Sequence, residues 1–110
     1  MTLKDIRDLY KTILPGRSHH YTADGETGSY LVWAEDTQAD SVNADNAMEE
    51  RALQGTTDYF TKTEYDPVTK QIETAMNNSD MSWRLNSIQY EKDTGYIHYE
   101  WVWEVDDWLE

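Results

Sequence analysis

The stretch that decides the fold is Tyr96-Ile97-His98-Tyr99-Glu100-Trp101-Val102-Trp103-Glu104-Val105. Bulky apolar side chains at the odd-numbered positions alternate with mostly polar ones at the even-numbered positions. Because successive side chains of a strand point to opposite faces of a sheet, this period of two predicts a half-buried strand. We expect Trp101 and Trp103 to pack, with Tyr99, beneath a second layer of structure.

Three further strands are predicted from β-branched and aromatic residues, over residues 29–34, 51–62 and 82–91. The last of these joins the deciding strand through the short loop Asp93-Thr94-Gly95, in which glycine suits a positive φ. Residues 16–28 contain many turn-forming residues and are predicted to be a loop or a loose hairpin.

Two amphipathic helices are predicted. The first covers residues 2–14, with Thr2 as N-cap and Pro15-Gly16 as its end. The second opens at Asp66-Pro67 and ends at Asn77-Asn78. Their apolar residues recur at helical spacing, and they are Leu3, Ile6, Leu9, Tyr10 and Ile13 in the first helix and Val68, Ile72, Ala75 and Met76 in the second.

The predicted order is therefore α-β-β-α-β-β. Short turns favour antiparallel pairing, so we expect a two-layer α+β domain, with two helices on one face of a mostly antiparallel four-stranded sheet. Glu100 and Glu104 would lie on the opposite face. The acidic residues 36–50 are predicted to be an exposed loop or a hairpin extension, and residues 106–110 a C-terminal tail.

Composition limits the classes of function. The chain has 110 residues, 22 acidic against 9 basic ones, a net charge of −13 and no cysteine. This length suits one domain, residues 1–110, and the lack of cysteine excludes disulfides and thiolate sites. No signal peptide and no apolar run of about 20 residues is visible. The acidic balance argues against nucleic-acid and anionic membrane partners, so we expect a soluble, folded, acidic domain.

Neither metal binding nor catalysis is predicted. His19 and His20 are adjacent and would point to opposite faces of a strand, while a third ligand such as His98 is distant in sequence. The acidic segment lacks the residue spacing of a calcium-binding loop. The chain contains no G-x-S-x-G, G-x-x-x-x-G-K, G-x-G-x-x-G or H-E-x-x-H motif, so we expect no enzyme and no cofactor.

The order of elements nevertheless has a familiar pattern. The first helix leads to Tyr30-Leu31-Val32-Trp33, and Thr57-Asp58-Tyr59-Phe60-Thr61-Lys62 follows the acidic segment. A helix opened by Asp66-Pro67 and a hairpin ending in Thr94-Gly95-Tyr96-Ile97-His98 complete the pattern. Across nearly the whole chain this resembles the tail-completion (head–tail joining, tail-terminator-like) proteins of long-tailed phages and prophages, especially those of Gram-positive hosts. The long acidic segment departs from it.

The resemblance implies a non-enzymatic virion assembly protein. Such subunits form a six-fold ring at the end of the tail tube, cap its growth and present a surface to the head connector. The implied partners are copies of the chain, the tail tube protein and head connector proteins. The implied location is the phage neck, after assembly in the host cytoplasm. A bore lined by acidic subunits would repel DNA phosphates and let DNA pass.

Interface candidates follow from charge and from one tryptophan. We expect a basic cluster near the N-terminus to face the acidic segment or the residues 104–110 across a subunit boundary. Trp108 either anchors a neighbouring subunit or folds back on its own sheet. The candidates are Lys4, Arg7, Lys11, Arg17, Asp36, Asp40, Asp45 and Trp108.

Two other classes of function are consistent with the sequence. Small acidic phage proteins can act as DNA mimics or inhibitors that occupy the basic groove of a host or phage enzyme. An adaptor or antitoxin-like binding protein would also be small and acidic.

Overall fold

The computed structural model describes residues 1–38, 52–106 and 108–109. These residues form an α+β domain, as predicted. Its elements, in chain order, are α1 (Leu3–Ile13), β1 (Ser18–His20), β2 (Tyr30–Gln38), β3 (Leu53–Thr61), α2 (Val68–Asn77), β4 (Ser82–Glu91) and β5 (Tyr96–Val105).

The sheet has five strands in the order β1-β2-β3-β5-β4. β1 runs parallel to β2, and all other neighbours are antiparallel. The prediction of four strands is therefore wrong, because Ser18–His20 lies in the segment predicted to be a loop. Three residues are too few to show an alternating pattern. Hydrogen bonds at both ends of β1 hold it against β2. The Leu31 amide donates to the Arg17 carbonyl at 2.9 Å, and the Tyr21 amide donates to the Trp33 carbonyl at 2.8 Å.

The segment predicted to be an acidic loop, residues 36–50, begins with strand residues. β2 continues to Gln38, so the residues 36–38 are strand rather than loop. Of these, Thr37 and Gln38 pair with Gln54 and Leu53 at the start of β3, and the register is irregular between Glu35 and Thr37. This pairing outweighs their weak strand propensity. Asp40 and Asp45 lie outside the described residues.

Both helices begin close to the predicted positions. In α1, Thr2 forms a capping box with Asp5, each side chain accepting a hydrogen bond from the other residue's amide. Before α2, Asp66 accepts a hydrogen bond from the Val68 amide at 2.9 Å. No helix in the described ranges is long and apolar enough to cross a membrane.

The core lies between the helices and one face of the sheet, which confirms that both helices cover the same face. Tyr10 of α1 and the Trp103 indole both bond the Thr57 hydroxyl, at 2.6 and 2.9 Å. Glu73 of α2 accepts a hydrogen bond from the Trp101 indole at 2.9 Å. The period of two therefore identified the buried face of β5 correctly.

Candidate subunit interface

The face of the sheet away from the helices, here called the open face, carries acidic residues of neighbouring strands. Asp58 of β3 lies directly opposite Glu100 of β5 in the register. Like charges in this position destabilise a strand pair unless they are compensated. His98 bonds Asp58 at 2.7 Å, and the Asn86 amide bonds Glu100. The open face thus keeps its acidic character while its closest charges have partners within the chain.

Aromatic rings cross the open face beside these acids. Tyr30 stacks on Phe60 with centroids 4.7 Å apart, and Phe60 stacks on His98 at 4.3 Å. Tyr96 meets the Tyr30 and Phe60 rings edge-on. Because the rings cover one another's faces, this ladder stiffens the sheet across three strands rather than presenting a platform on which bases could stack.

His98 makes the stability of this face depend on pH. The hydrogen bond to Asp58, together with the negative charges of Asp58, Glu91 and Glu100, outweighs burial and raises the pKa of His98 above its usual value. A raised pKa adds stability below the unfolded-state value of about 6.5, and this is lost as pH rises through the folded-state pKa.

We therefore expect the free energy of unfolding, measured in urea, to fall as pH rises from about 6.5 through the raised folded-state pKa of His98. Asp58→Asn should flatten this part of the profile, because the main partner of the imidazolium is lost. An unchanged profile in Asp58→Asn would show that His98 does not stabilise the sheet through this pair.

Three of the four predicted cations share the exposed side of α1. Lys4, Arg7 and Lys11 are spaced by three and four residues and are all exposed. Arg7 also pairs with the adjacent Asp8 at 3.0 Å. This exposed side of α1, defined by Lys4, Arg7 and Lys11, is called the α1 basic face below.

Arg17, the fourth predicted cation, is engaged within its own chain. Its guanidinium donates to the Ser29 and Thr27 carbonyls and pairs with Glu26 at 3.0 Å. It therefore fastens the connection between β1 and β2. A substitution of Arg17 would disturb this loop, which makes it a poor probe of subunit contacts.

A small cleft beneath α1 was not predicted. It has a volume of about 150 Å³ and is lined by Leu3, Lys4, Arg7, His20 and Trp33. The His20 ring is stacked between those of Tyr21 and Trp33, with both centroid distances 3.8 Å. Tyr21 has a φ of 77°, a conformation that is rare for a bulky residue and often marks a functional position. No local sequence pattern signals this conformation.

Glu35 completes the same corner of the molecule. Its carboxylate accepts hydrogen bonds from His20 at 2.6 Å and from the Tyr21 hydroxyl. Burial opposes ionisation of Glu35, but these hydrogen bonds prevail and hold its pKa below the usual value. The carboxylate is thus a fixed negative charge at the edge of β2.

β2 has an edge that β1 covers only in part. β1 pairs with Leu31, Val32 and Trp33. Among the described residues, no strand pairs with the outer side of Ala34–Gln38. This segment contains Glu35 and Asp36, and Asp36 accepts a hydrogen bond from Thr56 at 2.6 Å. We call Ala34–Gln38 the acidic edge.

β4 forms the opposite edge of the sheet and exposes apolar side chains. Leu85, Ile88 and Tyr90 are 41%, 55% and 65% exposed. They lie opposite Trp101, Tyr99 and Ile97 of β5, on the side of the helices. The residues 81–90 contain no Asp or Glu, and their one charged residue is Arg84. This strand, called the β4 edge, exposes a row of apolar side chains and has two charged residues, Arg84 and the terminal Glu91, on a chain of net charge −13.

The sequence contained a signal for the β4 edge. Residues 81–90 combine alternating apolar residues with a run free of Asp and Glu, in a chain in which one residue in five is acidic. The pattern does not show whether β4 lies at an edge or in the middle of the sheet. A central β4 would bury the same side chains. The order of the strands settles this point.

Trp108 packs within its own chain. It is partly buried and contacts the core cluster. Nearby, the amino group of Met1 donates a hydrogen bond to the Asp106 carbonyl at 3.1 Å. Of the two predicted roles, folding back is the one that these contacts support.

The histidines do not converge on one point. His19 pairs with Glu26, His20 with Glu35 and His98 with Asp58. Within the described part of the chain, no three His, Asp or Glu residues are grouped as a metal site would need.

The described surface thus has one acidic and one largely apolar sheet edge, together with the α1 basic face and the acidic open face. A comparison with protein-family models and one with curated proteins find no match for this chain.

Proposed function

We propose that this chain is a non-enzymatic assembly subunit that forms a ring at the end of a phage tail tube, where it completes the tail and joins it to the head connector. The observation that carries the proposal is the β4 edge. Edge strands are usually protected by charge, proline, a bulge or a covering element; this one has Arg84 and an irregular register between Leu85 and Ser87, yet it still exposes Leu85, Ile88 and Tyr90. Such an edge is typical of a subunit that is covered in an assembly.

The open face supports the same role. Asp58, Glu100 and Glu104 are carried by a sheet whose rings are already stacked on each other. Binding to DNA requires cations that displace the counterions of the phosphates. A ring with this face toward its bore would let DNA pass without retaining it.

Substitutions on the α1 basic face test whether electrostatic contacts between subunits support the proposed ring. A cyclic ring is built from heterologous contacts, so a basic patch on one subunit can meet an acidic patch on the next. We expect Arg7→Glu combined with Lys11→Glu to weaken assembly at low salt, with less difference from the wild type as salt screens the charges. Assembly is followed by sedimentation over a salt series.

A matched control adds the same negative charge elsewhere. Lys70→Glu combined with Lys92→Glu changes two exposed cations that are not on α1. This control should assemble like the wild type. Equal weakening in both double variants would mean that net charge, rather than the α1 basic face, sets the effect.

The biological role is tested by electron microscopy of lysates from the parent phage or prophage with this gene deleted. We expect filled heads beside unattached tails, or tails of uncontrolled length. Supplying the wild-type gene in trans should restore joined virions. Normal virions from the deletion would overturn the proposal.

A DNA-mimic function is the second candidate, and the shape of the molecule favours it. The chain is elongated, with extents of 46 × 25 × 24 Å, and acidic residues lie along its open face. A mimic presents carboxylates along an extended surface to a basic groove. Strong binding to a DNA-processing enzyme that added salt abolishes, together with normal virions from the deletion, would select this alternative.

A further inference from the structure

We propose that copies of this chain join edge to edge, with the β4 edge of one copy pairing antiparallel to the acidic edge of β2 in the next. This inference rests on the self-assembly proposed above and names the strands that carry it. The occupant of the β4 edge is therefore a second copy of the chain.

The directions of the strands permit this junction. β2, β3, β5 and β4 alternate in direction across the sheet, so β4 runs opposite to β2. If the next copy is rotated about an axis roughly parallel to the strands, its β2 meets β4 in the antiparallel sense. Because the two edges differ, each copy keeps one free edge, and the contact repeats until the ring closes.

Charge selects the same pair of edges. Arg84 lies opposite Val102 in the register and lines a groove with Gln54 and Glu104, which places it toward the open face. Asp36, bonded to Thr56, belongs to the same side of β2. The junction would bring Arg84 of one copy toward Asp36 of the next. Pairing two β4 edges would lack this complement, and pairing two acidic edges would repel.

The helix side of the junction is complementary as well. Leu85, Ile88 and Tyr90 are exposed on that side of β4. Tyr21, 57% exposed, stacks through His20 on Trp33 beside the acidic edge. The neighbouring copy would therefore offer an aromatic surface to the apolar strip, and burying these side chains favours association.

Irregular register on both edges limits the contact to a short run. β2 is irregular between Glu35 and Thr37, and β4 between Leu85 and Ser87. A bulge bends an edge and prevents indiscriminate pairing with other strands. A short junction is weak as a single contact, which suits a ring that closes through many copies.

Cysteine cross-linking tests the junction directly, since the native chain has no cysteine. Thr37→Cys labels the acidic edge and Ser82→Cys labels the β4 edge, because a junction that sets Arg84 beside Asp36 also sets Ser82 beside Thr37, and both residues are exposed. Purified single variants, distinguished by mass, are mixed at about 1 mM total protein and treated with a short bismaleimide. We expect heterodimers from the mixture, and a ladder of oligomers from the double variant.

The outcomes separate the arrangements. Rapid cross-linking of Ser82→Cys with itself, or of Gln89→Cys with itself, would indicate that two β4 edges pair and would overturn the proposal. Absence of any cross-link at this concentration would overturn it too. Normal virions from the gene deletion would remove the tail role, yet would leave a positive cross-linking result standing, so the two proposals fail separately.

Charge exchange provides a second and independent readout. Arg84→Asp and Asp36→Arg should each lower the yield of heterodimer several-fold, and their combination in one chain should restore it. Lys70→Asp is the matched control, because it changes net charge as Arg84→Asp does but lies on α2. Failure of the combined exchange to restore the yield, in chains with wild-type thermal unfolding, would count against the Arg84–Asp36 contact.

Discussion

Gly55→Ala is expected to lower the free energy of unfolding by about 3 kcal/mol or more. A Cβ atom at this position would lie 2.2 Å from two ring carbons of Trp103 and 2.6 Å from the Ala34 carbonyl oxygen. Overpacking a core costs about 1–3 kcal/mol when neighbours can shift. Here we expect the upper end of that range or more, a large part of the roughly 5–15 kcal/mol that stabilises a typical domain.

The reason is that neither neighbour can move cheaply. Gly55 lies in β3 between β2 and β5 and is paired with both Glu35 and Trp103. The Trp103 indole lies over Gly55 and bonds the buried Thr57 hydroxyl at 2.9 Å. Moving the indole would break this bond, and moving Ala34 would disturb the pairing of β2 with β3.

Urea unfolding at neutral pH measures the effect. Gly25→Ala is the control, because Gly25 also gains a Cβ but has no atom within 4 Å of it. Its φ of 69° still favours glycine, so we expect a loss of about 1 kcal/mol there. A Gly55→Ala chain as stable as the Gly25→Ala chain would mean that the indole does not lie over Gly55.

The sequence was most informative where a local period ran over many residues. Ten residues of alternating side chains were enough to predict β5 and its buried face, and helical spacing predicted α1 and α2. These elements form the core, so the α+β class followed from local pattern alone.

The order of the strands could not be predicted in the same way. Which strand lies at an edge depends on pairings between residues far apart in the chain, and no period records them. Leu85 and Ile88 were therefore visible as strand residues but not as exposed ones. β1 was not predicted for a related reason. Its three residues form a strand only through their pairing with β2.

The candidate site residues also differ in whether local sequence spacing or long-range contacts determine their positions. The exposed cations of α1 could be predicted, since helical spacing places Lys4, Arg7 and Lys11 on one side. The engagement of Arg17 with the loop before β2 could not be predicted, because two of its three partners are backbone carbonyls that any sequence supplies. The contacts of Tyr21 and Glu35 could not be predicted from the sequence either. They depend on the left-handed conformation of Tyr21 and on the stacking of His20 against it.

Asp66 is a further case, and it leads to the second large effect. The sequence placed it at the start of α2, but not in the interior. It is 8% exposed and accepts hydrogen bonds from the Tyr59 hydroxyl, the Thr61 hydroxyl and the Val68 amide, at 2.7, 2.7 and 2.9 Å. Burial opposes its ionisation, but these hydrogen bonds prevail and keep its pKa below the usual value.

We expect Asp66→Asn to cost about 3 kcal/mol, because its NH2 group would face either the Val68 amide, which cannot accept a hydrogen bond, or the Tyr59 and Thr61 hydroxyls that now donate to the carboxylate. The pH dependence gives a second signature. A carboxyl whose pKa is lowered by folding adds stability above its unfolded-state pKa of about 3.9, and this is lost as pH falls through the folded-state pKa.

Urea unfolding of both chains over an acid series therefore distinguishes a buried carboxylate from a mere helix cap. The wild type should lose stability on acidification, and the gap to Asp66→Asn should narrow as the wild-type carboxyl is protonated. Asp24→Asn, at an exposed position, should follow the wild type. A constant gap at all pH values would mean that the charge of Asp66 is not what holds Tyr59, Thr61 and the first turn of α2 together.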